Sequence, residues 1–81
     1  MSNILVKIQT ILSKQFGLKI EQIQPQAEFK NELGADSRDF LEIIAIFEDN
    51  FNININQQEA SSIITVSDAI TYIEQKINLK T

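Results

Sequence analysis

Ile4, Leu5, Ile8, Ile11, Leu12 and Phe16 recur at helical spacing, which predicts a first helix from about Asn3 to Phe16. Gly17 follows the last of them, where a helix stops most easily at a residue free to turn left-handed. The rhythm then breaks from Leu18 to Ala35, with Pro25 discouraging any helix. Leu18, Ile20, Ile23, Phe29 and Leu33 are spaced through that stretch as anchors that pin a long loop over a core. The helical period returns with Phe40, Ile43, Ile44, Phe47 and Phe51, predicting a second helix from about Ser37 to Asn50. A short third helix is expected around Gln57 to Ser62, tied to the core by Ile55, Ala60, Ile63 and Ile64. The fourth runs from about Val66 to Ile77, with Val66, Ala69, Ile70, Ile73 and Ile77 as its buried stripe and Thr65 and Asp68 as a capping box at its start. The tail from Asn78 to Thr81 is expected to fray.

These segments predict an all-α fold, a four-helix bundle of three longer helices and one short one with a long loop between the first and second. At 81 residues and 9.2 kDa the chain holds one domain, spanning 1–81, near the lower size limit for a self-sufficient core. No linker, repeat or low-complexity segment interrupts it.

The run Glu32-Leu33-Gly34-Ala35-Asp36-Ser37 changes the picture from packing to chemistry. Gly34 permits a turn that a Cβ would resist, Asp36 is a favoured N-cap, and Ser37 falls at the first helical position. There, free backbone N–H groups and the positive end of the helix dipole favour an attached phosphate. By position alone such a serine is ordinarily a helix start without chemistry, so the motif has to be weighed with its surroundings.

Charge is part of those surroundings. The net charge is −4, yet residues 28–49 hold seven acids (Glu28, Glu32, Asp36, Asp39, Glu42, Glu48, Asp49) against Lys30 and Arg38, a local −5. Away from its core stripe the second helix carries Arg38, Glu42, Ala45 and Asp49, with Leu41 and Ile46 on the shoulders. A charge run is usually a solvated face. Beside the serine, Leu41 and Ala45 read as docking contacts, and Asp39, Glu42, Glu48 and Asp49 as an ionic rim that steers basic partners.

Composition then removes alternatives. With no His and no Cys, serine–histidine and cysteine–histidine nucleophiles, the usual zinc sites and a disulfide framework are excluded, and no metal is expected. A hydrolase built on Ser37 lacks a base. The acidic balance argues against nucleic acid. The Ile4–Leu12 stretch is broken by Lys7, Gln9 and Thr10 and does not read as a signal peptide, and no apolar run is long enough for membrane insertion, so a cytoplasmic location is the default expectation.

Leu33-Gly34-Ala35-Asp36-Ser37 resembles the modification motif of acyl carrier proteins. The resemblance extends over practically the whole chain, through Phe51-Asn52-Ile53-Asn54-Ile55 after the second helix and Ile64-Thr65-Val66 with Ala69-Ile70 and Tyr72-Ile73 at the entry to the last. It implies a non-catalytic phosphoprotein of lipid metabolism. A phosphopantetheinyl transferase would use coenzyme A to attach 4′-phosphopantetheine to Ser37, with Asp36 and Gly34 shaping the site. The arm's thiol would carry acyl groups as thioesters to fatty-acid or polyketide-type enzymes with basic docking surfaces. Arg38, Asp39, Leu41, Glu42, Ala45, Glu48 and Asp49 are the expected partner-binding residues, and a monomer is the simplest state for a shuttle. Phe29, Phe40, Ile44, Phe47, Ile63 and Ile70 line the region between the helices, where an acyl chain could lie or where they simply pack.

Three departures from the family stand out. Arg38 follows the serine where an apolar residue is typical, Phe40 stands where a small or β-branched residue is common, and Asn56-Gln57-Gln58-Glu59 is less acidic than usual. They suggest a carrier dedicated to a particular pathway. Two other readings stay open: a carrier of aminoacyl or D-alanyl groups, and a helical interaction module whose Ser37 is never modified.

Overall fold

The computed structural model describes residues 4–80, with side chains to position 78. Among the described residues the helices are α1 (Ile4–Phe16), α2 (Ser37–Phe51), α3 (Gln57–Ala60) and α4 (Val66–Lys80), with a 3₁₀ turn at Ile20–Gln22 in the long first loop. The expected start of α1 at Asn3 lies outside the described residues. Gly17, at φ +66°, ends α1 by donating its N–H to Ser13 O at 2.9 Å.

The apolar stripes meet in one core. Ile8 and Leu12 of α1, Ile43, Ile44 and Phe47 of α2, and Val66, Ala69 and Ile73 of α4 are all buried. Each fully buried aliphatic side chain is worth about 1.5–3 kcal/mol over an exposed one, which is why the stripes decide how the helices face. Phe40 and Phe51 close the two ends of the α2 stripe half-buried, with Phe51 edge-on to Phe47 and beneath the Lys7 ammonium. α2 ends one turn position later than expected because Asn52 adopts the left-handed conformation (φ 54°) that asparagine tolerates. After it, Ile53 and Ile55 turn inward while Asn54 and Asn56 face solvent, and the Glu48 carboxylate accepts the Ile55 N–H at 2.8 Å.

The long loop is structural rather than slack. Gln9 Nε2 donates to Ile23 O at 2.8 Å, and Ile23, Ala27, Phe29 and Ala35 are buried. An isolated antiparallel bridge joins Glu28 to Thr65, so that Phe29 N–H reaches Ile64 O and Val66 N–H reaches Ala27 O, each at 3.0 Å. Two residues depart from expectation. Ile64 does not tie α3 to the core: neighbouring side chains of extended backbone point to opposite sides, so with Ile63 buried Ile64 is turned outward, at 56% exposure. Ile20, expected as a loop anchor, lies on the outer side of the 3₁₀ turn at 46% exposure, because Ile23 already fills the place beneath.

α3 is a single turn, shorter than expected, since Ser61 and Ser62 leave the helix in a turn closed by their own hydroxyls on Gln58 O and Glu59 O. α4 is longer than expected. It continues through Asn78 to Lys80 rather than fraying there, its start fixed by the anticipated box: Asp68 Oδ2 accepts Thr65 N–H and Thr65 Oγ1 accepts Asp68 N–H, both at 3.1 Å.

Candidate functional site

Ala35 is the residue that locates Ser37. It is buried and donates its N–H to Phe29 O at 2.8 Å, while Gly34 just before it takes φ +73°, a left-handed turn open to glycine without strain. Asp36 then caps α2. Its Oδ1 accepts Asp39 N–H at 2.8 Å and Asp39 Oδ2 accepts the Asp36 N–H at 3.2 Å, a reciprocal box. The chain is thus fixed up to the residue before the serine and again two residues after it.

Between those fixed points the site is open. Ser37 is exposed, and among the described residues its hydroxyl has no hydrogen-bond partner. The N–H groups of Ser37 and Arg38 likewise donate to no described residue, so two donors at the positive end of α2 remain for a ligand. Arg38 is exposed and takes part in no salt bridge among the described residues; the Asp39 carboxylate beside it is engaged in the cap.

A cleft of about 410 Å³ opens beside the serine. Its near lip is Ser37 with Phe40 and Leu41, its far wall runs from Gln57 and Ala60 to Ile64, and the loop at 28–31 closes one side. Phe29 and Phe40 meet edge-to-face in it, with ring centroids 5.7 Å apart. Of the six residues expected between the helices, the cleft takes Phe29, Phe40 and Ile63; Ile44 and Phe47 are buried in the core and Ile70 is half-buried against it, none of them on the lining.

The expected docking residues spread along one face of α2. Arg38, Leu41, Glu42, Ala45 and Asp49 are exposed, whereas Asp39 and Glu48 are half-buried with carboxylates occupied by the cap and by Ile55 N–H. Ile64 is the site residue that sequence reasoning missed. It stands exposed across the cleft from Leu41, and the available signal was the Ile63-Ile64 pair ahead of the Thr65 cap, only one of which can face inward.

The site fits a phosphodiester-linked arm: an unengaged hydroxyl, two unengaged amides beside it and a cleft starting at the same serine. Known proteins agree with that fit. The family model described as a phosphopantetheine attachment site matches residues 6–73. The chain is 45% identical over 80 residues to an acyl carrier protein of Cylindrotheca sp. (strain N1), covering 99% of this chain and all of that one. Among solved structures it resembles the acyl carrier protein of Thermotoga maritima, with TM-score 0.85, 32% identity and coverage of 98% of this chain and 92% of that one. It also resembles that of Enterococcus faecalis, with TM-score 0.78, 32% identity and coverage of 91% and 94%. A motif match spanning most of the chain, near-complete alignment with a carrier protein and the same bundle in two more leave one conclusion: this chain belongs to the acyl carrier protein family, non-catalytic carriers that bear a covalently attached 4′-phosphopantetheine.

Proposed function

We propose that Ser37 Oγ is the attachment point and that the chain carries acyl groups to enzymes of fatty-acid or polyketide type. The observation that supports this best is the exposed Ser37 hydroxyl, without a partner among the described residues, on the lip of the cleft. When bound, the arm supplies a terminal thiol on which an acyl group is held as a thioester. The protein's own residues do the rest. Asp36 and Gly34 present the hydroxyl, the amides of Ser37 and Arg38 face the phosphate, and Phe29, Phe40 and Ile63 offer an apolar lining to a chain folded back from the arm.

Partners dock on the exposed face of α2, with Leu41 and Ala45 as apolar contacts and Glu42 and Asp49 as the freest acids of the rim. Asp39 and Glu48 act there chiefly through their charge, since their oxygens are already hydrogen-bonded. Charge complementarity raises the rate of encounter more than it prolongs the complex, which suits a shuttle that works as a monomer in the cytoplasm and leaves each enzyme quickly. Arg38 sets this carrier apart: a guanidinium with no salt bridge among the described residues, beside the modified serine, repels a basic contact there and favours partners that present an acceptor. This supports a dedicated pathway.

Intact-protein mass spectrometry after incubation with coenzyme A and a promiscuous phosphopantetheinyl transferase tests the attachment. A gain of one phosphopantetheine group in the wild type and none in Ser37→Ala is the expected result. A folded wild type that gains nothing from several transferases would leave an unmodified interaction module. For the pathway, a general ketoacyl synthase is expected to use this carrier less well than a housekeeping one, and Arg38→Leu to narrow the gap.

A further inference from the structure

At the mouth of the Ser37 cleft, the side chains open to a partner have the opposite charge to the chain around them. Residues 28–49 carry a net −5, but the acids around the mouth already have local partners. Asn31 Nδ2 donates to the Glu28 carboxylate, Glu32 Oε1 accepts the Glu28 N–H at 3.3 Å, and Asp39 Oδ2 accepts the Asp36 N–H at 3.2 Å. On α3, Glu59 turns toward α4, where its Oε1 accepts the Tyr72 hydroxyl at 2.7 Å and lies 3.5 Å from Lys76 Nζ. The two cations of the segment are in the contrary condition. Lys30 lines the mouth and Arg38 follows Ser37; both are exposed, and neither takes part in a salt bridge among the described residues. Glu42, one turn along from Arg38, is not paired with it. Apolar surface frames the same opening: Leu41 on the near lip is 55% exposed and Ile64 on the far one 56%. The chain's departures from its family gather here as well, with Phe40 and the neutral Gln57 on the lining and Arg38 beside it.

We propose that the cleft mouth is a docking surface for a partner protein that presents an apolar side chain flanked by carboxylates: the apolar group bridges Leu41 and Ile64, and the carboxylates pair with Lys30 and Arg38. The inference rests on the carrier reading above and adds Lys30 and Ile64 to it as specificity-determining residues, with contacts that span the cleft instead of running along α2. Glu42 and Asp49 still steer basic surfaces toward the helix from a distance. At contact the sign reverses. A lysine-rich surface centred on Ser37 meets two unpaired cations, whereas a partner carboxylate meets the paired N–H donors of a guanidinium and the Lys30 ammonium. Charge selects the partner, and the two aliphatic lips supply area for it to cover.

The test is an amide chemical-shift titration of the unmodified chain with millimolar acetyl-Glu-Leu-Leu-Glu-amide, and with its Gln-Leu-Leu-Gln and Lys-Leu-Leu-Lys counterparts. The glutamate peptide should shift the amides of Lys30, Arg38, Leu41 and Ile64 and bind about three- to tenfold more tightly than the glutamine peptide, the ratio expected for two exposed ion pairs. The lysine peptide should leave the mouth and shift Glu42 and Asp49 instead. Arg38→Gln and Lys30→Gln should each weaken the glutamate peptide by about threefold and leave the glutamine peptide unchanged. Ile64→Ser should weaken both by about threefold. All three positions are exposed, so the variants should keep the wild-type unfolding midpoint. Equal binding of the glutamate and glutamine peptides overturns the proposal, since it would leave only apolar uptake by the cleft. So does an Ile64→Ser variant that binds as the wild type does. A concentration-dependent dimer in sedimentation that Arg38→Gln abolishes would make the occupant a second copy of the chain and overturn it too. The titration needs no arm: a chain that refuses phosphopantetheine fails the carrier reading by its mass and still reports on the mouth, whereas one that takes the arm but ignores the peptide charges keeps that reading and loses this one.

Discussion

α2 and α4 begin with the same device and put it to opposite uses. Each starts at a reciprocal capping box, Asp36 with Asp39 and Thr65 with Asp68. At α4 the first residue, Val66, is buried, and the first two amides are taken: Val66 N–H by Ala27 O at 3.0 Å and Ser67 N–H by Pro25 O at 2.7 Å. At α2 the first residue, Ser37, is exposed, and the corresponding two amides donate to no described residue. A cap fixes where a helix starts. Whether the start becomes a joint or a site depends on whether a neighbouring strand of loop has come to occupy its donors.

Exchanging the contents of the two starts should therefore separate function from stability. Ser37→Ala should abolish arm uptake completely in the mass-spectrometric assay while moving the unfolding free energy by less than about 0.5 kcal/mol, as expected for an exposed site. Val66→Ala, at the equivalent position of α4, should do the reverse. Removing two buried methyl groups should cost about 2 kcal/mol in denaturant unfolding and leave uptake intact in the folded fraction. If Val66→Ala impaired uptake without loss of stability, the two starts would not be independent.

Breaking the caps themselves should have a smaller effect. Asp36→Ala and Thr65→Ala should each cost about 1 kcal/mol, but only Asp36→Ala should also slow the transferase, because only there does the cap present a reacting group. The smallest difference is in acid. Asp68 is held below its ordinary carboxyl value by the N–H groups of Thr65 and Ile64. A depressed carboxyl pKa contributes stability that is complete above the ordinary value of 3.8 and disappears as pH falls through the folded value. An unfolding titration should show this acid loss in the wild type, and Asp68→Asn should remove that part of the slope.

What could be read from the chain and what could not divide along similar lines. The stripes of α1, α2 and α4, the Thr65–Asp68 capping box, Asp36 as the N-cap of α2, the Gly34 turn and the placement of Ser37 were legible because each depends on residues within a few positions of one another. Ile64 was misjudged because its exposure is decided at a distance, by the Glu28–Thr65 bridge setting which isoleucine faces inward, and Ile20 because a loop without a regular period does not say which of two nearby isoleucines, Ile20 or Ile23, is the buried one. The length of α3 was overestimated for a comparable reason. Serine hydroxyls ended it, and its main support beyond its own cap and Ala60, the bond from Tyr72 to Glu59, joins residues thirteen positions apart. No periodicity reports such a pair.

Among the described residues the core buries no polar or charged side chain; it is built of isoleucine, leucine, valine, alanine and phenylalanine alone. In an interior of this kind no side chain has an obligatory mate. A methyl group that moves aside breaks no directional bond, so rearrangement costs only the fit between neighbours, whereas a buried polar network would have to be dismantled. The bundle is therefore cohesive without being keyed: its interior can shift by small steps of fit without any bond having to break.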